Sequence, residues 1–211
     1  MCKETFLRLP EEKRRRFLEA AWGEFTRVKF ADVSINQIVR QAGVPRGSFY
    51  QYFADKEDLF VYLLRTAQAR FLEKFYLAVE AAHGDLFQAQ MDCYDRLQDR
   101  QTQEPLVECG MQLLRINATD AELQNVPLWQ PEAVVMGDMQ RRMDLRRFVR
   151  RDADFVQQVV ALTLLALGAA LTASLGHPEC AAEHRRRLAQ QMEIIRRGAE
   201  RPETACKGGA V

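Results

Sequence analysis

The chain has 211 residues, of which 47% are hydrophobic and 28% are charged, and its formal net charge at pH 7 is +1. This is the composition of an ordinary soluble protein that can bury a real core, in one large domain or in a small domain joined to a larger one. The chain begins without an apolar run followed by a small-residue cleavage site. We therefore expect no secretory signal and a cytoplasmic protein.

The charges are distributed unevenly. Residues 1–52 contain ten Lys and Arg against six Asp and Glu, whereas the rest of the chain contains twenty against twenty-three. A basic region in a nearly neutral chain indicates a surface for a polyanion. A second basic cluster, at residues 141–151, is interpreted as a solvated surface, with an acidic ligand or a second DNA contact as the alternative.

The cysteines are odd in number and never paired as CxxC. They lie at positions Cys2, Cys93, Cys109, Cys180 and Cys206. Zinc sites and disulfide frameworks need closer, repeated spacing, so we expect reduced thiols that fill the core, with no metal site and no cofactor. A redox-sensing role for Cys93 or Cys109 stays open as an alternative.

Three short helices are predicted in the first quarter of the chain, because apolar residues recur there with the helical period. The first begins near Glu11. The second covers residues 34–42, with Ser34 as its N-cap and Gly43 at its end. The third covers residues 46–53.

A long helix follows from about Lys56 and ends at Gly84, where Asp85 caps the next helix. The helical period then predicts five further helices, at about 86–101, 105–117, 131–147, 153–175 and 178–198. The tail 202–211 is predicted to be disordered. No segment alternates like a strand, so the predicted fold class is all-α, with a three-helix head joined by the long helix to a larger body.

The apolar run of residues 159–175 covers nearly the whole circumference of its helix. It is shorter than the ~20 residues that a membrane span needs, so it predicts a buried helix and no membrane contact. A second subunit is a natural cover for the extra apolar face. The predicted dimer interface comprises Leu164, Leu167, Leu171, Leu188, Met192 and Ile195.

The second and third helices, joined by Gly43-Val44-Pro45, have the proportions of a helix-turn-helix. A helix that enters the major groove needs small residues beside its donors. Gly47 and Ser48 are small, and the fork of Arg46 matches the edge of guanine. Phosphate contacts are predicted for four further residues, namely Ser34, Tyr50, Tyr52 and Lys56.

The stretch from Phe30 to Phe60, with its core AGVPRGSFYQYFADKEDL, resembles the DNA-binding domain of the TetR/AcrR family of bacterial regulators. The resemblance implies a homodimer that reads a palindromic operator in double-stranded DNA and is released by a small molecule, most often as a repressor. It implies that Arg46, Gly47 and Ser48 face the groove and that Phe49 lies in the core of the head with Phe53.

The sequence departs from the family pattern at two positions. Lys29 stands where the family often has Gly. A lysine there would cost ~1 kcal/mol of stability if the backbone at this position is left-handed. Pro45 stands where a Ser commonly caps the recognition helix. Proline preorganises the first helical turn but removes the cap hydrogen bond.

The resemblance implies a DNA-binding domain over residues 1–55 and a ligand-binding and dimerisation domain over residues 56–201. The effector is unknown and is expected to be largely apolar, because Met-rich linings adapt to varied apolar ligands. Residues predicted to line its pocket are Phe87, Met91, Met111, Trp129, Met136 and Met139.

Two other functions are alternatives to a ligand-responsive regulator. The first is an architectural DNA-binding protein, which would bind in a salt-dependent but sequence-indifferent way. The second is an enzyme that uses a cysteine or histidine of the body. The sequence contains no Ser/His/Asp order, phosphate loop or metal-ligand spacing, so we expect no catalysis.

Overall fold

The computed structural model describes residues 3–99, 104–117 and 133–201, without the side chains of 133–136. These residues form α-helices and no β-strand, which confirms the all-α fold class. The helices are α1 (Glu4–Leu7), α2 (Glu11–Phe25), α3 (Ile35–Ala42), α4 (Arg46–Tyr52), α5 (Lys56–Ala81), α6 (Leu86–Gln98), α7 (Pro105–Ile116), α8 (Ala133–Arg142), α9 (Ala153–Gly176) and α10 (Ala181–Ala199).

The contacts divide the described residues into two compact units. The head unit contains residues 3–73 and 104–117, and the body unit contains residues 74–99 and 133–201. Helix α5 therefore contributes to both units, and α7 belongs to the head unit. The functional boundary predicted at residue 55 stays a prediction.

Local signals place the helix ends as the sequence predicts. The Ser34 side chain accepts a hydrogen bond from the Gln37 amide at the start of α3, and the Asp85 carboxylate caps α6. Gly43 and Gly84 follow α3 and α5 with left-handed φ angles of 67° and 80°. Glycine adopts this conformation without the steric cost of a Cβ.

Two of the predicted helix bounds are wrong. The helix expected over 131–147 ends at Arg142, and a separate 3-10 turn begins after Asp144, whose side chain accepts from the Arg146 amide. The helix expected from residue 178 is preceded by a 3-10 turn and begins at Ala181. Lys29 has φ −62°, so its backbone is not left-handed and carries no such cost. The predicted tail lies outside the described residues.

The core of the head unit is aromatic. Phe6, Phe17, Phe49 and Phe53 are completely buried, although α1, which carries Phe6, was not predicted. The Phe6 ring lies 4.9 Å from that of Phe53, and the Phe17 ring stacks on Phe53 at 5.9 Å. Aromatic pairs at these distances stabilise a core beyond the apolar area that they bury.

Helices α6, α9 and α10 pack together in the body unit. Among the described helices α9 alone is long and apolar enough to cross a membrane, with a mean hydropathy of 2.1, and 44% of that segment is buried inside the unit. Polar groups also join these helices. The Tyr94 hydroxyl lies 2.7 Å from the hydroxyl of Ser174 on α9 and donates to the Ala181 carbonyl of α10.

The packing of α9 and α10 disfavours the predicted dimer interface, which stays a prediction. Five of its six residues are buried inside a single body unit, and Ile195 is half-buried, so these side chains are already covered without a second subunit. The buried residues are Leu164, Leu167, Leu171, Leu188 and Met192. The exposed apolar side chains lie on the other side of α9, at Leu162 and Leu165.

We expect Gly84→Ala to destabilise the protein by about 2–4 kcal/mol. The new Cβ would require a strained left-handed backbone and would collide with the backbone nitrogen of Asp144. Gly23→Ala is the matched control, because a Cβ there meets nothing within 4 Å and α2 gains helix propensity. Urea unfolding of both variants tests this, and equal midpoints would contradict the role assigned to Gly84.

Candidate nucleic-acid interface

Helix α4 presents a polar face to solvent and a hydrophobic face to the head core. Phe49 and Tyr52 are buried, whereas Arg46, Gly47 and Tyr50 are exposed. Pro45 is the N-cap, with φ −60° and no side-chain cap hydrogen bond, as the sequence predicts. The groove-facing residues predicted on this helix are therefore accessible, with Ser48 half-buried beside them.

A buried carboxylate connects α2 to the start of α3. Glu24 is only 1% exposed, accepts a hydrogen bond from the Ser34 amide at 3.2 Å and pairs with the Arg27 guanidinium at 2.5 Å. A buried carboxylate needs such partners, because burying an unpaired charge is costly. Sequence reasoning missed Glu24, since its surroundings depend on residues that α3 brings back to α2.

Two arginines on α3 and α4 are available to a ligand. Arg40 and Arg46 are exposed, and within residues 3–99, 104–117 and 133–201 no hydrogen bond or ion pair engages their side chains. A guanidinium has five donors and binds phosphate or guanine readily. Arg40 was not singled out in the sequence, although it lies on the polar side of a strongly amphipathic helix.

The residues predicted to bind phosphate differ in their solvent exposure and in the contacts that they already make. Tyr50 is 46% exposed, whereas Tyr52 is 8% exposed and packs its ring against Phe6 and Phe17. The Ser34 oxygen caps α3, which leaves its hydroxyl hydrogen to donate. These assignments stay predictions, and Tyr50 offers the larger accessible surface of the two tyrosines.

The Lys56 ammonium has partners within the protein that the sequence did not indicate. Its ammonium donates to the carbonyl oxygens of Phe30 and Ala31 at 2.8 and 3.0 Å and lies 4.5 Å from the centre of the Phe30 ring. A lysine ammonium has three donors, so one hydrogen remains for a phosphate. Lys56 therefore supports the loop between α2 and α3 as well as carrying charge.

Helix α7 holds the same loop from another direction. The Asn117 side chain accepts from the Phe30 amide at 2.7 Å and donates to the Leu113 carbonyl at 2.8 Å. Gln112 donates to the Thr26 carbonyl at 3.2 Å, and Leu113 is completely buried in the head core. Although α7 is distant in sequence from α2 and α3, it is part of the framework that holds them.

The predicted effector-lining residues do not belong to one unit. Phe87 and Met139 are buried in the body unit, Met91 is half-buried there, and Met111 is buried in the head unit. Trp129 and the Met136 side chain lie outside the described residues. The lining of an effector pocket stays a prediction.

The second basic cluster is largely neutralised by carboxylates. Arg141, Arg142, Arg146, Arg147 and Arg150 each form an ion pair with an Asp or Glu. This pairing favours the interpretation of residues 141–151 as protein surface over a second DNA contact.

The chemistry of the described residues offers no support for the enzyme and redox alternatives. No group of three His, Cys, Asp or Glu among them could hold a metal ion. Burial raises the pKa of the Cys93 thiol to about 12 and also raises the pKa of Cys109. Cys93 is therefore protonated at neutral pH and is a poor nucleophile, which disfavours it as a redox sensor.

Comparisons with known proteins also indicate a helix-turn-helix in the head unit. Residues 17–63 match the family model described as bacterial regulatory proteins, tetR family. The HTH-type transcriptional regulator SrpR of Pseudomonas putida is 28% identical over 64% of this chain and 68% of its own length. The uncharacterized HTH-type transcriptional regulator YdgC of Bacillus subtilis is 41% identical over 28% of this chain, which spans only 30% of that protein.

Solved structures share the fold over most of the chain. The complex of SmeT with triclosan has a TM-score of 0.61 at 15% identity and covers 90% of this chain and 93% of its own. A putative tetR family transcription regulator from Shewanella sp. PV-4 has a TM-score of 0.59 at 18% identity and covers 91% and 100%. At these identities the likeness shows the all-helical fold alone.

We expect Gly47→Ala to weaken DNA binding while leaving the free protein folded and up to about 1 kcal/mol more stable. A Cβ at position 47 meets nothing within 4 Å in the protein, so any penalty arises against the groove. DNA titration and urea unfolding of Gly47→Ala measure the two effects, with Gly23→Ala as the helix-propensity control. Unchanged DNA affinity would show that position 47 does not face the groove.

Proposed function

Since the chain belongs to the tetR family of bacterial regulatory proteins, we propose that it is a cytoplasmic, ligand-responsive repressor. It binds a palindromic operator in double-stranded DNA as a homodimer, releases it when a small molecule binds, and has no catalytic role. The observation that carries the proposal is the exposed face of α4, where Arg46 and Tyr50 flank the small Gly47 within the family match.

The proposed DNA contacts divide into reading and anchoring groups. Arg46 reads a guanine edge through its guanidinium, and Gly47 and Ser48 allow the helix to approach the bases. Ser34, Tyr50, Tyr52 and Lys56 anchor the head on phosphates, and the exposed Arg40 joins them as a further phosphate-binding candidate.

The proposed dimer interface uses the exposed apolar side of the last two helices. Leu162 and Leu165 on α9 are 51% and 55% exposed, and Ile194 on α10 is 71% exposed. Large apolar side chains left this exposed on two adjacent helices are typical of a surface that another subunit covers. The proposal uses these three exposed residues in place of the leucines predicted from the sequence, which are buried inside one body unit.

The proposed effector site is supported by one buried polar atom. Gln90 is completely buried in the body unit, and its Nε2 donates to the Thr163 hydroxyl at 2.9 Å. Its Oε1 has no hydrogen-bond partner among the described residues. A buried acceptor without a donor costs about 1–3 kcal/mol, so a ligand that is otherwise apolar would gain by donating there.

The proposed release of DNA passes through α7. Asn117 and Gln112 bind the loop between α2 and α3, and Lys56 binds the same loop from α5. Any displacement of α7 would move this loop, and with it the start of α3. Such coupling requires only that the ligand binds more tightly to the shifted state.

Selection of bound DNA from a random pool tests the operator proposal. We expect a pseudo-palindrome whose half-sites lie about one helical turn apart. Arg46→Ala should cost about 1–3 kcal/mol on the best selected sequence and relax preference at one base position in each half-site. Arg8→Ala is the control, because Arg8 is an exposed head arginine whose side chain pairs with Glu4.

Three outcomes would count against parts of this proposal. Selected DNA without two-fold symmetry would contradict the dimeric operator, and sequence-indifferent binding would favour an architectural protein. A uniform loss across all sequences for Arg46→Ala would make Arg46 a backbone contact.

We expect Leu165→Glu to convert the dimer to a folded species of about half the mass, because a charge on this face cannot be buried against a second copy. Leu77→Glu is the matched control, since Leu77 is 56% exposed on α5 of the same unit. Sedimentation at micromolar concentration distinguishes the two, and circular dichroism checks that both stay helical. A wild-type species of only 24.3 kDa would refute the dimer.

A further inference from the structure

Residues 3–5, which precede α2, form hydrogen bonds with the end of helix α4. The Lys3 amide donates to the Tyr52 carbonyl at 2.9 Å, and the Lys3 ammonium donates to the Tyr50 carbonyl at 2.7 Å. The Thr5 hydroxyl donates to the Gln51 carbonyl. The last three carbonyl oxygens of α4 thus all accept hydrogen bonds from residues 3–5.

These carbonyls would otherwise have no partner in the helix. The last four carbonyl oxygens of any α-helix lack intrahelical donors, and the Phe53 amide satisfies only that of Phe49. A cation at this end is also favoured by the helix dipole, which the Lys3 ammonium complements. Because α4 has only seven residues, such end contacts involve nearly half of the helix.

Phe6 fixes this segment in place. It is completely buried, and its ring lies 4.9 Å from Phe53, 5.5 Å from Phe17 and 5.6 Å from Tyr52. The hydrogen bonds to the carbonyl oxygens and the ring contacts therefore hold the same end of α4. The hydrogen bonds hold its backbone, and the ring contacts hold its buried side chains. Residues 3–6 lie outside the family match, which begins at residue 17.

We infer that Lys3, Thr5 and Phe6 are positioning residues that hold the end of α4 at the angle needed for its exposed face to enter the groove. The inference rests on the proposed reading role of α4. Lys3 acts through the α4 carbonyls rather than as a phosphate contact. Residues outside the helix-turn-helix thus control how well it reads DNA.

Substitution of Lys3 tests the inference on the full chain. Lys3→Met removes the ammonium but keeps the aliphatic stem, and Lys3→Arg restores a cationic donor. Lys13→Met is the matched control, because Lys13 is an exposed lysine of α2 with the same charge. Thr5→Val removes the hydroxyl donor, and Thr66→Val is its control, because the Thr66 hydroxyl donates to a carbonyl within α5.

We expect Lys3→Met and Thr5→Val to bind the wild-type-selected operator about three- to tenfold more weakly, with recovery in Lys3→Arg. The salt dependence of binding should keep its slope, because no phosphate contact is lost. Hydrogen exchange of the amides of residues 50–53 should become faster in both variants. The Lys13→Met and Thr66→Val controls should show neither change.

Two results would overturn the inference. One is a salt slope reduced by about one ion per subunit in Lys3→Met with unchanged exchange, which would make Lys3 a direct phosphate contact. The other is equal behaviour of Lys3→Met and Lys13→Met. Hydrogen exchange needs no DNA, so a failed operator selection would refute the proposed function while the exchange result still decides the positioning role. Phe6→Leu, which keeps an apolar side chain but loses the ring contacts, should show the same faster exchange.

Discussion

The head depends on one constraint, which is that a helix as short as α4 cannot maintain its own structure in water. Helix nucleation is costly, and isolated helices below about a dozen residues are marginal even with favourable sequences. The seven residues of α4 are helical because Phe49 and Tyr52 anchor them in an aromatic core and because residues 3–5 bind their terminal carbonyls. The exposed face is free for DNA because the buried face and the helix end provide the stability.

The loop between α2 and α3 is likewise held by contacts from other parts of the chain. Here polar side chains bind backbone groups directly. Glu24 accepts from the Ser34 amide, Asn117 accepts from the Phe30 amide, and Lys56 donates to the Phe30 carbonyl. Each bond comes from a different helix, so the loop is defined by three helices together. A loop held in this way moves when any of those helices moves, which makes it a physical link between α7 and the start of α3.

Sequence reasoning succeeded where structure is decided within a few residues. The caps at Ser34 and Asp85 and the stops at Gly43 and Gly84 depend only on local backbone chemistry, and the sequence predicted each of them. It failed where the partner is distant, as for Asn117, which lies 87 positions from Phe30. The two sides of α9 could not be told apart for another reason: the helix is apolar all round, so its composition does not distinguish the buried side from the exposed one.

The open space around position 47 has a consequence for how this protein can change over evolutionary time. A Cβ there touches nothing in the head, so the position can accept Ala in place of Gly without disturbing the aromatic core. Mutations at most core positions lose stability before they can alter specificity. If α4 docks in the groove as we propose, stability and specificity are separated at position 47, and new operator preferences could arise there without passing through an unfolded intermediate variant.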